Sequence, residues 1–233
     1  MKLSVRILSV FCISSLIGLT SCGDESKKSE NALTEGIIEY KTTPLDANHP
    51  MSNYVPSEAV VKFKENKLFV EMEAGYGVLK TAFISNPDKK NMTQLVTVNL
   101  ANIKSACVES EASVIKDNQD YQLKFEETKE TKNIAGYICK KVKTSMVNDP
   151  SISFDTYYTP DLGADNTNDL NPYKGIKGML MDYRLKKFGI EMRFLATKVK
   201  KDTISNHIFE LPEGYKMVTR SAYDTVFTYP LGL

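Results

Sequence analysis

From Glu35 onward, apolar and polar positions alternate in short runs. Ile38 and Tyr40, then Ala59, Val61 and Phe63, then Leu68, Val70 and Met72 are interleaved with residues such as Glu39, Lys62, Lys64 and Glu71. A period of two places one set of side chains on a buried face and the other in water, so these runs predict half-buried antiparallel strands. Glu65-Asn66 is a polar break between the second and third runs, where a hairpin turn belongs. The alternation resumes at Tyr121, Leu123 and Phe125, and again at Phe154, Thr156 and Tyr158. Met179, Met181, Tyr183 and Leu185 continue it, as do Ile190, Met192, Phe194 and Ala196 across a turn at 186–189, which predicts a second hairpin. Segments 77–85, 91–98 and 134–147 also read as extended, but apolar residues there occupy both parities.

Helical spacing is scarce. Val108, Ala112 and Ile115 stand at i, i+4 and i+7 in a segment rich in Glu, Ser and Ala, which predicts one short helix. Residues 160–174 are crowded with Asn, Asp and Pro and read as an irregular loop. The expected fold is mainly β (α+β). About eight to eleven antiparallel strands with one apolar face must form a sandwich, close into a barrel, or curl around what covers them. With few helices as cover, a strongly curved antiparallel sheet or incomplete barrel with one or two short covering helices satisfies the pattern. It creates a cavity as a by-product.

The front of the chain carries an address. Lys2 and Arg6 bracket the start of a nearly unbroken apolar run over 7–19, too short for a spanning helix. The run ends in Leu19-Thr20-Ser21-Cys22, which resembles the lipobox of bacterial lipoproteins: small residues give a peptidase access, and a thiol accepts the diacylglyceryl group. The expected organisation is a signal peptide over 1–21, a lipidated polar tether over 22–34 and a single β-rich domain over 35–233. Cys22 is the expected lipid-attachment residue, and two or three acyl chains such as palmitate hold a protein on a bilayer far more firmly than one. Gly23 follows the cysteine where an inner-membrane retention signal would have Asp, which favours the outer membrane, with the periplasmic and surface faces both open.

Composition narrows the function classes. Thirty basic residues balance twenty-nine acidic ones, so no overall field draws in nucleic acid. Cys12 leaves with the leader and Cys22 is lipidated, so only Cys107 and Cys139 stay in the domain. In an oxidising envelope they can pair, closing a loop worth about 3.5 kcal/mol on chain entropy, or they can lie as two buried free thiols.

Several phrases carry a family resemblance. They are Glu35-Gly36-Ile37-Ile38-Glu39-Tyr40, Lys132-Asn133-Ile134-Ala135-Gly136-Tyr137-Ile138-Cys139-Lys140-Lys141, Tyr157-Tyr158-Thr159-Pro160-Asp161, Ile176-Lys177-Gly178-Met179-Leu180 and Leu211-Pro212-Glu213-Gly214-Tyr215. Together they resemble an uncharacterised group of Gram-negative lipoproteins, a domain of unknown function. At one remove the group is similar to the LolA and LolB lipoprotein carriers, which implies an incomplete antiparallel barrel that holds acyl chains under a helical lid. Within these phrases, 133–136 suits a turn before a strand, and 212–214 a tight turn whose flanking Leu211 and Tyr215 reach the core.

Enzyme signatures are absent: the sequence has no Gly-x-Ser-x-Gly, phosphate-binding Gly-rich loop, His-Glu-x-x-His or Cys-x-x-Cys. His49 and His207 lie far apart, and Asp165 and Asp169 lack the spacing of a calcium loop, so neither a metal nor a cofactor is expected. Cys139 with His207 as base reads as core rather than nucleophile. The short lysine runs at 140–143 and 198–201 suit solvated strand faces, or contact with acidic headgroups. Met179, Met181 and Met192 suit either a plain core or an adaptable ligand lining. The leading expectation is a non-catalytic, membrane-anchored lipoprotein that binds a hydrophobic ligand or acyl chain. Tyr40, Phe63, Val70, Met72, Phe125, Met181, Met192 and Phe194 are the candidate cavity lining. The alternative is an accessory lipoprotein that docks an envelope protein partner through a sheet edge or the Asn-rich loop.

Overall fold

The computed structural model describes residues 29, 32–50, 52, 55–187 and 189–228. The expected leader and lipidated Cys22 lie outside the described residues. The strands are β1 (Glu35–Pro44), β2 (Glu58–Lys64), β3 (Lys67–Ala74), β4 (Leu79–Asn86), β5 (Asn91–Val98), β6 (Ile103–Ser110), β7 (Leu123–Ile134), β8 (Tyr137–Met146), β9 (Ser153–Thr159), β10 (Met179–Lys187), β11 (Ile190–Lys200) and β12 (Lys216–Met217). Two helices, α1 (Glu111–Asp117) and α2 (Arg220–Thr228), complete the framework. The fold is mainly β.

All twelve strands form one sheet in the order β12-β6-β5-β4-β3-β2-β1-β11-β10-β9-β8-β7. Two antiparallel meanders, β1 to β6 and β7 to β11, are joined where β1 pairs with β11, and β12 lies parallel beside β6. Among the described residues no pairing closes the sheet. The registers carry the alternation across strands: Ile38, Val61, Val70, Phe83, Gln94 and Cys107 are successive partners and share one face. Glu39, Val60, Glu71, Ala82, Leu95 and Ala106 form the adjacent row on the other face.

The mixed parity of 77–85 and 91–98 has a tertiary cause. Ile204 and Phe209, helped by Ile208 and Tyr215, pack on Ala82, Ile84, Leu95 and Ala106, so both faces of β4 and β5 are buried. Beyond that cover the chain rounds the β6 edge as β12. It then lays α2 on the opposite face, where Tyr223 and Phe227 meet Val96, Val98 and Cys107. The turn at 212–214 forms with Gly214 at positive φ, but Leu211 is exposed and only Tyr215 packs inward.

The predicted hairpin turn at Glu65-Asn66 forms, and the turn expected over 133–136 is confined to its last two residues, since Asn133 and Ile134 end β7. Lys64 pairs with Lys67 around Glu65-Asn66, where Glu65 has positive φ, and Ile134 pairs with Tyr137 around Ala135-Gly136, where both residues do. The second hairpin pairs to its tip at Lys187 and Ile190.

Two expectations need correction, and one open alternative is decided. The helix at 108–115 begins only at Glu111, because Val108 pairs with Thr93 in β6 and Ser110 caps α1 by accepting from the Ser113 amide. Val108 and Ile115 are 48% and 51% exposed, whereas Val114, off the expected stripe, is 6% exposed and faces inward. The domain also starts before Glu35: Leu33 donates to Asp161 at 2.8 Å and accepts from Gly163 at 2.9 Å, so the end of the expected tether docks on the 161–163 segment. Cys107 and Cys139 do not pair. Both are free and buried, in different apolar clusters, on β6 and β8 with every strand from β5 to β9 of the sheet order between them.

Candidate functional site

A cavity of about 150 Å³ lies on the face that carries Val61 and Val70. Strands β1 to β3 supply Tyr40, Val61, Leu68, Val70 and Met72, and β4 supplies Phe83. From the other meander come Met179, Leu180, Tyr183 and Leu185 of β10 and Met192 and Phe194 of β11. Val114 and Asn118 at α1 and Asn168, Leu170, Asn171 and Pro172 of the 160–178 loop complete it.

Aromatic packing stiffens one wall. Tyr183 stacks on Phe194 with centroids 5.1 Å apart and meets Tyr40 and Tyr173 edge-on at 5.9 and 5.8 Å. The Tyr40 hydroxyl donates to the Leu180 carbonyl at 2.8 Å, so this buried polar tip is satisfied. Burial pushes the Tyr40 and Tyr183 phenols well above the ordinary tyrosine value and keeps them neutral.

The loop over the cavity is held by its asparagines. Asn168, almost fully buried, donates to the carbonyls of Ile176 and Gly178 at 2.8 Å each, and accepts from Asn171 at 3.0 Å. Lys174 reaches Glu111 at 3.0 Å, tying the loop to α1, and Tyr121 donates to Glu191 at 2.9 Å.

One end of the cavity is ionic. Glu109, Asp117, Lys186 and Lys187 border it. Arg220 of α2 donates to Glu109 and Asp117 and, at 2.8 and 2.9 Å, to Asp224, while Gln94 donates to Glu109. Lys187 lies over the Phe83 ring, 5.7 Å from its centre. Burial, aided by Arg220, holds its amine below the ordinary lysine value.

Of the eight lining residues expected, Tyr40, Val70, Met72, Met192 and Phe194 border the cavity. Phe63 and Met181 do not: both are fully buried in the core cluster that also holds Tyr40 and Phe194. Phe125 is half-buried on β7 and stacks on Tyr173 at 5.7 Å instead. Sequence reasoning missed Phe83, which sits in the segment of mixed parity, although its register with Val70 places it in the same row. It also missed Val114, the loop residues and the ionic end, which no local period marks.

Among the described residues no group of three His, Cys, Asp or Glu side chains could hold a metal. Burial pushes the Cys139 thiol up to about 12, so it is protonated at neutral pH, and His207 is exposed beside Glu210.

No family model and no curated protein matches the chain. Among solved structures, PNGF-II in its P21 and C2 crystal forms is similar, each with a TM-score of 0.49 and 18% identity, over 83% and 84% of this chain. This chain spans 33% of the length of those structures.

Proposed function

We propose that this chain is a cell-envelope lipoprotein, anchored to the outer membrane through Cys22, that captures and releases a hydrophobic ligand in the concavity of a strongly curved sheet. One observation carries the reading. An apolar cavity is bordered at once by β6 and β10, strands separated by six others in the sheet order, and by α1 as a cover. Strands so far apart in a sheet can share a cavity when the sheet bends around it, which favours the incomplete barrel over stacked leaves. The size bounds the guest: a cavity of about 150 Å³ accepts a benzene-sized apolar group, or the end of an acyl chain, rather than a whole lipid. Anchoring rests on the sequence; no helix among the described residues is long and apolar enough to cross a membrane.

Partner docking has less support. The edge strand β7 is studded with Glu and Lys and shifts register between Glu127 and Thr131, features that blunt an edge against strand addition. The Asn-rich loop spends Asn168 and Asn171 on its own backbone and side chains.

The test is an apolar fluorescent probe titrated into the chain and its Val70→Phe variant. Saturable binding that the added ring abolishes supports the reading. No binding by the parent, or equal binding by a folded variant, overturns it.

A further inference from the structure

We propose that the loops at 75–78 and 99–102 form one tip that inserts Tyr76 and Leu100 into the headgroup region of an acidic bilayer. The inference is independent of the cavity and of its guest.

Hydrogen bonds join the two loops. The Asn99 amide donates to the Val78 carbonyl at 2.9 Å, and the Asn99 side chain donates to the Gly77 carbonyl. Tyr76 and Leu100 project from this tip at 110% and 84% exposure, more than any other large apolar side chain among the described residues. Tyr76 also stands at φ +53°, between Gly75 and Gly77, which have positive φ as well. A bulky residue is strained in that region, where glycine or asparagine would hold the turn with less strain. Folding therefore gains nothing from a tyrosine at 76, and a strained, wholly exposed ring points to a contact outside the chain.

Charge and area choose the partner. Residues 75–78 and 99–102 carry no charge. Directly behind them Glu73, Lys80, Thr97 and Lys104 are successive partners across β3 to β6, and Lys216 pairs with Ser105 in the next row. Lys80 engages Glu73 at 2.7 Å, while Lys104 and Lys216 are exposed, so the row behind the tip is positive on balance. An uncharged tip backed by lysines fits an acidic bilayer, whose interface takes up tyrosine and leucine and whose headgroups attract the ammonium groups. A protein partner would need more surface. At about 200 Å² for each of the two side chains, the tip falls well short of the roughly 800 Å² per side of a stable protein interface.

The tip lies at the far end of β3 from the 65–66 turn, beside which the chain enters the sheet through the Glu65 to Thr34 hydrogen bond. A domain lying along a membrane brings both ends to it, so the tip sets how an anchored domain lies.

The chain has no tryptophan, so Tyr76→Trp supplies a single fluorescent reporter. The full chain with that substitution is reconstituted with vesicles of phosphatidylcholine and phosphatidylglycerol, and its emission is read with and without brominated acyl chains. The emission should move to shorter wavelength on the vesicles, and brominated lipid should quench it. In the same background Leu100→Asp should abolish the shift, and Lys104→Gln should weaken insertion about fivefold, each with native circular dichroism. An emission that stays that of a ring in water on vesicles that hold the chain, or a shift that neither further substitution changes, overturns the tip and leaves the anchor and cavity readings standing. A shift that needs an added envelope protein rather than lipid also overturns it, in favour of a protein partner. A chain that does not associate with the vesicles overturns the tip and the anchor together.

Discussion

The Tyr173 hydroxyl donates to the Arg184 carbonyl at 2.6 Å and accepts from the Arg184 amide at 3.1 Å. Strand β9 pairs with β10 only as far as Tyr157 and Asp182, so this side chain supplies the bonds that a neighbouring strand would otherwise make. It also pins the 160–178 loop across the cavity. Tyr173→Phe leaves a buried amide and carbonyl without partners, at a cost of about 1–3 kcal/mol. Urea unfolding should show a lower midpoint with an unchanged slope.

Gly178 closes the same loop at φ +127°, where a Cβ would collide with the Thr159 carbonyl oxygen. Gly175, at φ +103°, has open space around it. Gly175→Ala should cost about 1–3 kcal/mol of backbone strain alone, and Gly178→Ala clearly more, because backbone must move. Thermal melts of the two variants side by side check the order.

Removal of the Arg220 guanidinium strands a nearly buried carboxylate. Arg220→Met should destabilise by about 3 kcal/mol or less, since Arg220 itself keeps a third of its side chain in solvent. Adding Glu109→Gln should recover part of the loss, and a double-mutant cycle should return a clear coupling.

The two domain thiols should be inert in the native state. Burial raises both, Cys139 to about 12, so at pH 8 roughly one Cys139 in 10⁴ is a thiolate. Reaction with a disulfide reagent should be slow until urea unfolds the chain, and dithiothreitol should leave the melting midpoint unchanged. A midpoint that falls with reductant would mean that the thiols pair.

Acid should loosen the β1 end. The amide of Ile204, and then the ammonium of Lys64, hold the Glu35 carboxyl below the ordinary glutamate value. A carboxyl depressed on folding contributes stability above its unfolded value and loses it as pH falls through the folded one. Below about pH 4.5 the urea midpoint should therefore fall, and Glu35→Gln should fall less over the same range.

The legibility of the site followed the legibility of the strands. Tyr40, Val70, Met72, Met192 and Phe194 belong to runs with a clean period of two, and register brought them to one cavity. Phe63 and Met181 belong to such runs too yet do not border the cavity, because alternation reports the face of a sheet and not the place on that face, and Met181 lies at a register shift between Leu180 and Asp182. Val114 and Arg220 carry no periodic signal, and neither does the run that forms α2.

Backbone geometry acts between neighbours in the chain, so the sequence alone determined the strands with one wet face, the turn at 65–66 and the place of a turn within 133–136. Contacts between distant segments decided the rest. The 204–215 cover gave β4 and β5 two buried faces, Arg220 met Glu109 across 111 positions, and the 160–178 loop came to lie on the cavity. Those outcomes depend on which surfaces exclude water from each other once the sheet exists, and no local pattern of residues encodes that choice.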